Sequence, residues 1–419
     1  MISELFDAHS LDEQPNFPDR SLPIGFMLRL AKALHTYGMT AYELEKAMKR
    51  VGNKLGFGVQ CLSQPTNIIM SFSHPQEPEP KTYVFRVDPG DIHLERQIQV
   101  SEVVSAVLSE QMSVEEGADQ LKKIATTPSR YGDGLVTLSY GLVSGAIARV
   151  FNGAGAEIIV AFVIGIITGF MITKLLKSES AQFLFPTLSS MVAALLASIA
   201  NHLGFLSSPY IATLAGVIIL VPGLLLTTAV SELAQNNTVS GTARLFSAGT
   251  IFMQIGFGVA IGKTLGLALF PAAPEIQTIP FAAWTVWLAI AVASCGLFVL
   301  FYSRPKDLHW VILAGMIAYG STAYSTEQFG PIFGAFVGAF IMGVAANVFE
   351  RLLKVTRSVM LLPGIILLVP GSVGFHSLSL LVEHDVVAGL DTAFKMGFVS
   401  IGLVTGLLLA SMFVPAKDI

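Results

Sequence analysis

The stretch Ile218 to Gly223, I-I-L-V-P-G, lies inside a long apolar run and returns 148 positions later as Ile366 to Gly371, I-L-L-V-P-G. Proline removes a backbone donor and glycine loosens the backbone, so the adjacent pair interrupts a helix. In a membrane, such a break is tolerated where neighbouring protein or a water-filled cavity satisfies the freed backbone groups. The two copies therefore predict two broken helices, one in each half of a long apolar region.

The composition divides the chain into two parts. The 419 residues are 53% hydrophobic and 13% charged, with a mean hydropathy of +0.66, whereas soluble domains are about 25% charged. Residues 1–132 carry 13 Lys/Arg and 17 Asp/Glu, and residues 133–419 carry only 12 of each. This asymmetry predicts a small soluble domain over residues 1–132, followed by a membrane domain.

The soluble part has the pattern of a small α/β domain. Residues 1–20 are expected to form a flexible tail, and Pro75 to Pro80 is expected to be a turn or loop. Thr40 and Glu43, and later Ser113 and Glu116, have the spacing of helix capping boxes. The predicted helices are Ile24 to Tyr37, a second ending near Leu55, and Leu94 to Ala125, which Ser113 can split; the predicted strands are Val59 to Leu62, Asn67 to Phe72 and Thr82 to Val87.

The soluble domain offers little that predicts chemistry. A hydrolase-like set can be assembled from His35, Cys61, Ser63, His74 and His93, but their spacing does not support it and ordinary core or surface roles are favoured. The absence of a P-loop and of GxGxxG argues against ATP drive, so no cofactor is expected. Cys61 and Cys295 lie in different parts of the chain, and neither a disulfide nor a metal site is expected.

The region from Gly134 onward predicts a polytopic α-helical membrane protein with about ten transmembrane helices. Each apolar run is near the ~20 residues needed to cross a bilayer. The predicted spans are 134–151, 156–175, 184–204, 209–231, 243–270, 281–302, 309–325, 331–350, 358–381 and 389–414.

The distribution of Lys and Arg predicts the orientation of these spans. The loops on one side hold Lys174, Lys177, Arg244, Arg304, Lys306, Arg351, Lys354, Arg357 and Lys417. The loops on the other side, near 152–155, 205–208, 271–280, 326–330 and 382–388, hold neither residue type. The acidic, polar N-terminus also lacks the layout of a signal peptide. Both termini are therefore expected in the cytoplasm, with 271–280 outside.

The two halves of the membrane region look like repeats. At the offset of 148 residues, Gly241 pairs with Gly389 and Gly249 with Gly397, and S-I-A-N ending at Asn201 resembles V-A-A-N ending at Asn347. Five spans per half force the second half to enter from the opposite side. The sequence thus predicts two inverted five-helix repeats over residues 133–275 and 276–419, an arrangement typical of secondary transporters with substrate sites at broken helices.

Candidate site residues follow from this arrangement. The breaks themselves and polar residues near them are the candidates for substrate binding, with interhelical packing as the alternative: Pro222, Gly223, Pro370, Gly371, Asn201, Asn347, Thr227 and Ser372. Glu232 and Glu350, near the predicted inner face, are candidates for proton coupling or else end helices in water. A second charged group lies towards the outer ends, where pairing or snorkelling is favoured over coupling: Arg149, Glu157, Lys263, Asp391 and Lys395.

The chain resembles the threonine/serine exporter family over nearly its whole length. The resemblance rests on R-L-A-K-A-L-H-T-Y-G (Arg29 to Gly38), on Q-P-T-N-I-I-M-S-F (Gln64 to Phe72), on ten spans and on the two Pro-Gly breaks. The chain looks like the fused, single-chain form. The resemblance implies export of L-threonine and L-serine from the cell across the inner or plasma membrane, driven by protons through antiport. No nucleic-acid partner is expected, and a homo-oligomer is left open.

Two other functions compete with export of amino acids. A channel, or a transporter of another small metabolite such as an organic acid, would also permit polar residues in the spans. A membrane enzyme is disfavoured because Y-G-D-G, residues 131–134, matches only part of an intramembrane protease motif and has no second intramembrane aspartate. The protein is therefore not expected to be an enzyme.

Overall fold

The computed structural model describes residues 22–88, 90, 92–175, 178–271 and 281–415. The tail predicted over residues 1–20 and residues 272–280 of the predicted outer loop 271–280 lie outside these ranges. The described part has sixteen α-helices and one three-stranded sheet, arranged as an N-terminal α/β domain followed by a helical region.

The N-terminal domain packs helices against an antiparallel sheet in the order β1-β2-β3. Its elements are α1 (Leu22–Thr36), α2 (Ala41–Lys54), β1 (Gly58–Gln64), β2 (Asn67–His74), β3 (Glu77–Arg86), α3 (Leu94–Leu108) and α4 (Val114–Thr126). In register, Gly58 pairs with Ser73 and Asn67 with Arg86. One buried cluster joins Met27 and Leu30 of α1 to Met70 of β2.

Two local predictions for this domain have different outcomes. The Ser113–Glu116 capping box is present in full and separates α3 from α4, so the long helical region is split as expected. The loop predicted from Pro75 to Pro80 is wrong over most of its length, because β3 already begins at Glu77. Pairing of β3 with β2 outweighs the two prolines, which an edge strand tolerates.

The helical region contains ten segments in the predicted order, two of them broken. They are α5 (Asp133–Val150), α6 (Gly155–Phe170, extended by a π turn over Met171–Leu175), α7 (Glu179–His202), α8 (Pro209–Gly216) with α9 (Gly223–Ala234), α10 (Thr238–Leu269), α11 (Thr285–Leu300), α12 (Leu308–Phe329), α13 (Pro331–Leu353), α14 (Arg357–Leu368) with α15 (Gly371–Val382), and α16 (Val386–Phe413). Among the described residues, six helices are long and apolar enough to cross a membrane, or seven if the bent pair α8–α9 counts as one span. The structure therefore confirms a multi-pass helical membrane protein without establishing ten spans.

The same helix pairs pack together in both halves. The third segment of each half packs on the fifth: α7 on α10, and α13 on α16. Glycines make these approaches close, since a Cβ on Gly262 or Gly406 would overlap the backbone oxygen of Met191 or Phe336. Small residues at these positions thus serve the packing of the helices.

Candidate functional site

The two Pro-Gly breaks have nearly the same backbone geometry. Pro222 lies at φ −78°, ψ 44° and Pro370 at φ −76°, ψ 37°, each directly before a 12-residue helix. In both copies the glycine N–H donates to the carbonyl two residues earlier, at 2.8 Å, which closes a tight turn around the proline. The correspondence continues to the ends of α9 and α15, where Asn236 and His384 have positive φ of 64° and 66°.

The two breaks differ in how strongly they bend the chain. Between α8 and α9 the helix unwinds over residues 217–222, passes through a 3-10 turn at Ile218–Leu220 and bends by 49°. Between α14 and α15 only Val369 and Pro370 interrupt the helix, and the pair still counts as one long span. The first break therefore exposes more backbone than the second.

The two breaks pack directly against each other. A Cβ on Gly223 would overlap Val369 Cγ1 and lie 3.6 Å from Gly371 Cα, and a Cβ on Gly371 would lie 2.9 Å from Val221 Cγ1. Each glycine thus faces the valine that precedes the other proline. The structure brings four of the predicted site residues, Pro222, Gly223, Pro370 and Gly371, to one crossing point between the two halves.

The other predicted binding residues are distributed around this crossing in different ways. Thr227 is buried and its hydroxyl donates to the Gly223 carbonyl at 3.1 Å, so it satisfies the backbone just after the break. Ser372 is half-buried in the first turn of α15. Both lie on the helices that leave the crossing.

Asn201 and Asn347 occupy related positions in the two halves but have different surroundings. Asn347 is fully buried, and its Nδ2 donates to the Val414 carbonyl at 2.7 Å, where it holds the end of α16. Asn201 is half-buried at the end of α7 and lines a cavity. The structure therefore favours a structural role for Asn347 and leaves Asn201 at the wall of the cavity.

The cavity has a volume of about 250 Å³ and lies between α7, α8, α10 and α15. Its wall is mainly apolar, and its polar residues include Asn201, Tyr210, Lys263 and Glu383. Phe375 of this wall belongs to the same buried cluster as Val221, so the cavity reaches inward towards the crossing.

The two proton-coupling candidates lie at the opposite end of the helical region, against the N-terminal domain. Glu232 is fully buried; its carboxylate accepts from Ala41 N at 3.1 Å and from Ser240 Oγ at 2.7 Å. It also forms an ion pair with Arg244 at 3.1 Å. Because Glu232 contacts Ala41, the first residue of α2, its negative charge lies at the N-terminal end of that helix.

Glu350 is connected to α2, the helix that Glu232 contacts, through Arg357. Its Oε1 accepts from the Arg357 N–H at 3.2 Å, and Arg357 Nη1 lies 3.6 Å from Glu43 of α2. The start of α2 therefore touches Glu232 of the first half and Arg357 of the second. Neither candidate ends a helix in open water, the alternative considered for them from sequence.

The N-terminal domain also binds the loop between α11 and α12. Leu94 N donates to the Phe301 carbonyl at 2.9 Å, the His93 ring stacks on Tyr302 at 4.6 Å, and Arg304 pairs with Glu102 at 3.1 Å. Burial and the nearby Arg96 lower the pKa of His93 to about 3, so this ring is neutral at physiological pH. Docking of the domain thus rests on backbone hydrogen bonds and stacking as well as on charge.

The hydrolase-like set is not assembled into a reactive site. Burial raises the pKa of the Cys61 thiol to about 12, and burial also lowers the pKa of His35, whose Nε2 contacts the Pro65 carbonyl at 3.0 Å. A thiol with such a pKa is a poor nucleophile. Asp133 of the Y-G-D-G stretch pairs with Lys174 at 2.6 Å. Within the described residues, no three His, Cys, Asp or Glu side chains are placed to hold a metal ion.

Sequence reasoning missed two features of this arrangement. The pairing of Lys263 with Glu383, 120 positions apart, and the contact of α2 with both halves depend on long-range packing. The i, i+4 pair Asp391–Lys395, by contrast, is present at 2.5 Å as predicted. The clustering of Lys and Arg in the loops predicted to be inner is a sequence signal for this docking surface, since Arg304 and Arg357 of those loops pair with the N-terminal domain.

Taken together, the apolar helices define a multi-pass helical membrane protein in which two broken helices cross. Residues 25–266 match one family model described as a threonine/serine exporter, and residues 286–413 match a second model of threonine/serine exporters. The chain therefore belongs to the threonine/serine exporter family, in a fused single-chain form. The family is one of membrane exporters.

Several curated fungal proteins are similar to this chain. The chain is 25% identical over 384 residues to an uncharacterized protein of Schizosaccharomyces pombe, covering 88% of this chain and 45% of the relative. It is 26% identical over 414 residues to pheromone-regulated membrane protein 10 of Kluyveromyces lactis, covering 93% of this chain and 43% of the relative. The chain thus spans less than half the length of these relatives. No solved structure matches it.

Proposed function

We propose that this protein is a secondary transporter that exports small neutral hydroxyl amino acids, L-threonine and L-serine, in exchange for protons across the inner or plasma membrane. Membership of the exporter family supports the substrate class. The observation that carries the mechanism is the crossing of the two Pro-Gly breaks, where Gly223 meets Val369 and Gly371 meets Val221. Broken helices that meet between two halves are the usual place where a secondary transporter binds substrate.

The proposed architecture has ten spans in two inverted five-helix repeats, with both termini in the cytoplasm. Its support comes from the Lys/Arg asymmetry and from the N-terminal domain. Glu102 and Glu43 of that domain pair with Arg304 and Arg357, and Ala41 donates to Glu232, the partner of Arg244. These arginines all belong to loops assigned to the inner side. A soluble domain held against that side agrees with a cytoplasmic N-terminus.

The proposed mechanism is alternating access around the crossing. The first turns of α9 and α15 begin at the breaks, and the N–H groups of a helix N-terminus favour a carboxylate. The unwound carbonyls between α8 and α9 favour an ammonium group. Rocking of one half against the other would then open the crossing to each side in turn.

Proton coupling is assigned to Glu232, with Glu350 as the second candidate. Glu232 is buried and meets the N-terminal domain, so its charge state would be linked to docking of that domain. The competing function is a channel, or a transporter for a small organic acid. Counterflow into liposomes preloaded with unlabelled threonine distinguishes a carrier, which accumulates labelled threonine transiently, from a channel, which does not.

The experiment that tests the proposal is transport by the purified protein in liposomes, with threonine and serine as substrates and an imposed pH gradient. Pro222→Ala and Pro370→Ala restore a backbone donor and remove the ring clash, which should mend the breaks. Each variant is expected to insert normally and to lose most counterflow per inserted molecule. Pro186→Ala, at a proline inside α7, is the matched control and should retain transport.

Normal counterflow in both proline variants would remove the crossing from the mechanism. Absence of threonine and serine transport by the unaltered protein, with transport of an organic acid in the same liposomes, would favour the competing function.

A further inference from the structure

We infer that Lys263 and Glu383 form the outer binding site for the amino acid backbone, with Lys263 receiving the α-carboxylate and Glu383 the α-ammonium group. This inference rests on the proposed function and names the residues that recognise its substrate class. Both side chains line the 250 Å³ cavity between α7, α8, α10 and α15.

The geometry of the pair suits a ligand that carries both charges. Lys263 Nζ lies 2.8 Å from Glu383 Oε1, and the two side chains are 49% and 54% exposed. A pair that is half in solvent contributes only about 0–1 kcal/mol, so separating it costs little. A zwitterion that enters between the two groups gives each of them a new partner of opposite charge. The pair is therefore weak by itself and complementary to an amino acid.

The pair joins the two halves of the protein. Lys263 is on α10 of the first half, and Glu383 follows α15 of the second. Binding of one ligand by both side chains would depend on the relative position of the two halves, and this position changes in alternating access. Ion pairs within one helix, such as Asp391–Lys395 on α16, have no such property.

The position of Lys263 also favours a functional role. It lies six residues before the end of α10, about 9 Å along the helix axis, and about 28 Å from Arg244 at the end held by the N-terminal domain. A lysine so near a helix end commonly extends to the water at the membrane surface, whereas Lys263 Nζ is held across the cavity by Glu383. The cavity therefore lies at the far end of the helix from the docked domain.

The rest of the cavity limits the substrate to a small side chain. Its volume is below the ~300–1,000 Å³ of pockets for drug-sized ligands, and its walls include Val259, Phe270 and Leu378. The hydroxyls of Ser198 and Thr213, also in the wall, already donate to their own helices. Asn201 is left as the amide that faces the same space. A short side chain with one hydroxyl group fits this combination.

The test measures recognition of each end of the ligand separately, by counterflow in liposomes with wild-type protein and four variants. Competitors are threonine, N-acetylthreonine, which has no ammonium group, and threonine amide, which has no carboxylate. Glu383→Gln is expected to raise the half-saturating concentration of threonine at least tenfold while leaving that of N-acetylthreonine within twofold. Lys263→Met is expected to do the same for threonine while sparing threonine amide.

Asp391→Asn and Lys395→Met remove charges of the same kind outside the cavity and should change neither constant. Unchanged threonine constants in both cavity variants would overturn the inference. Equal weakening of threonine and its derivatives would also overturn it, because a merely structural pair does not distinguish the two ends of a ligand.

A second readout separates this inference from the proposed function. An amine-reactive, membrane-impermeant reagent should modify Lys263, and glycine, a minimal zwitterion, should protect it better than acetate or methylammonium. Protection by glycine without transport of threonine or serine would keep the site and reject the proposed substrates. Transport of threonine without protection of Lys263 by glycine would keep the function and reject the site.

Discussion

The sequence and the structure favour different roles for Glu232. From sequence it is an acidic residue near the inner end of a broken span. In the structure it is fully buried and joins three groups: Ala41 N, Ser240 Oγ and the Arg244 guanidinium. Removing one partner of a buried ion pair leaves the other uncompensated, which costs roughly 3–5 kcal/mol. Its first role is therefore to hold α2 against the helical region.

We expect Glu232→Ala to loosen the N-terminal domain, because both Arg244 and the start of α2 lose their partner. Faster hydrogen exchange in α2 and a lower thermal midpoint in detergent would show this. Glu232→Gln keeps an acceptor for Ala41 N and loses only the charge, so its effect should be smaller. Asp119→Ala, at an exposed position of α4, is the control.

Transport by Glu232→Gln separates docking from proton coupling. If the residue carries the proton, threonine exchange should persist while uphill export driven by a pH gradient is lost. Uphill export at the normal rate with a loosened domain would leave Glu232 as a docking residue only.

At the scale of elements, the crossing of the two breaks depends on missing side chains. Gly223 faces Val369, and Gly371 faces Val221, so each break leaves room for the valine of the other. The helix hairpins that follow, α9–α10 and α15–α16, also depend on glycine. A Cβ on Gly241 or Gly389 would lie 2.7 Å from Leu233 or Leu381 respectively. Glycine is needed at these places for close approach of helices.

We expect Gly223→Ala to destabilise the protein by about 1–3 kcal/mol, because the added methyl group overlaps Val369 Cγ1. Val369→Ala removes the overlapping atom and should restore stability and counterflow in the double variant. Gly397→Ala, where a methyl group meets open space, is the control. Additive losses in the double variant, measured as a mutant cycle of thermal midpoints, would show that the two sites are not in contact.

At the scale of the whole molecule, the N-terminal domain connects the two halves on one side while the cavity lies on the other. The start of α2 touches Glu232 of the first half and, through Glu43, Arg357 of the second. A domain that binds both halves on one side would oppose their separation there. This arrangement agrees with a state whose cavity opens on the opposite side.

We expect both termini to be cytoplasmic and the 271–280 loop to face outward, as the distribution of Lys and Arg indicates. Cysteines placed singly at Ala272 and Ser178, in a background without Cys61 and Cys295, report the side of each loop. An impermeant thiol reagent applied to intact cells should label Ala272→Cys and spare Ser178→Cys. The reverse pattern would contradict both the orientation and the inverted repeat.

The membrane class, the order of the helices and the positions of both breaks follow from the sequence alone. These features depend on composition, hydropathy and the backbone limits of proline and glycine, which act locally. The Asp391–Lys395 pair was predictable for the same reason, since four residues make one helical turn.

Which residues meet across the chain depends on the tertiary structure. Packing brings Gly223 to Val369, Lys263 to Glu383 and Ala41 to Glu232, and the members of these pairs are 120 to 191 positions apart in the sequence. It also separated Asn201, beside the cavity, from Asn347, which holds the end of α16. Such contacts depend on how helices cross, and the crossing is set by side-chain packing along whole helix faces, which no local pattern contains.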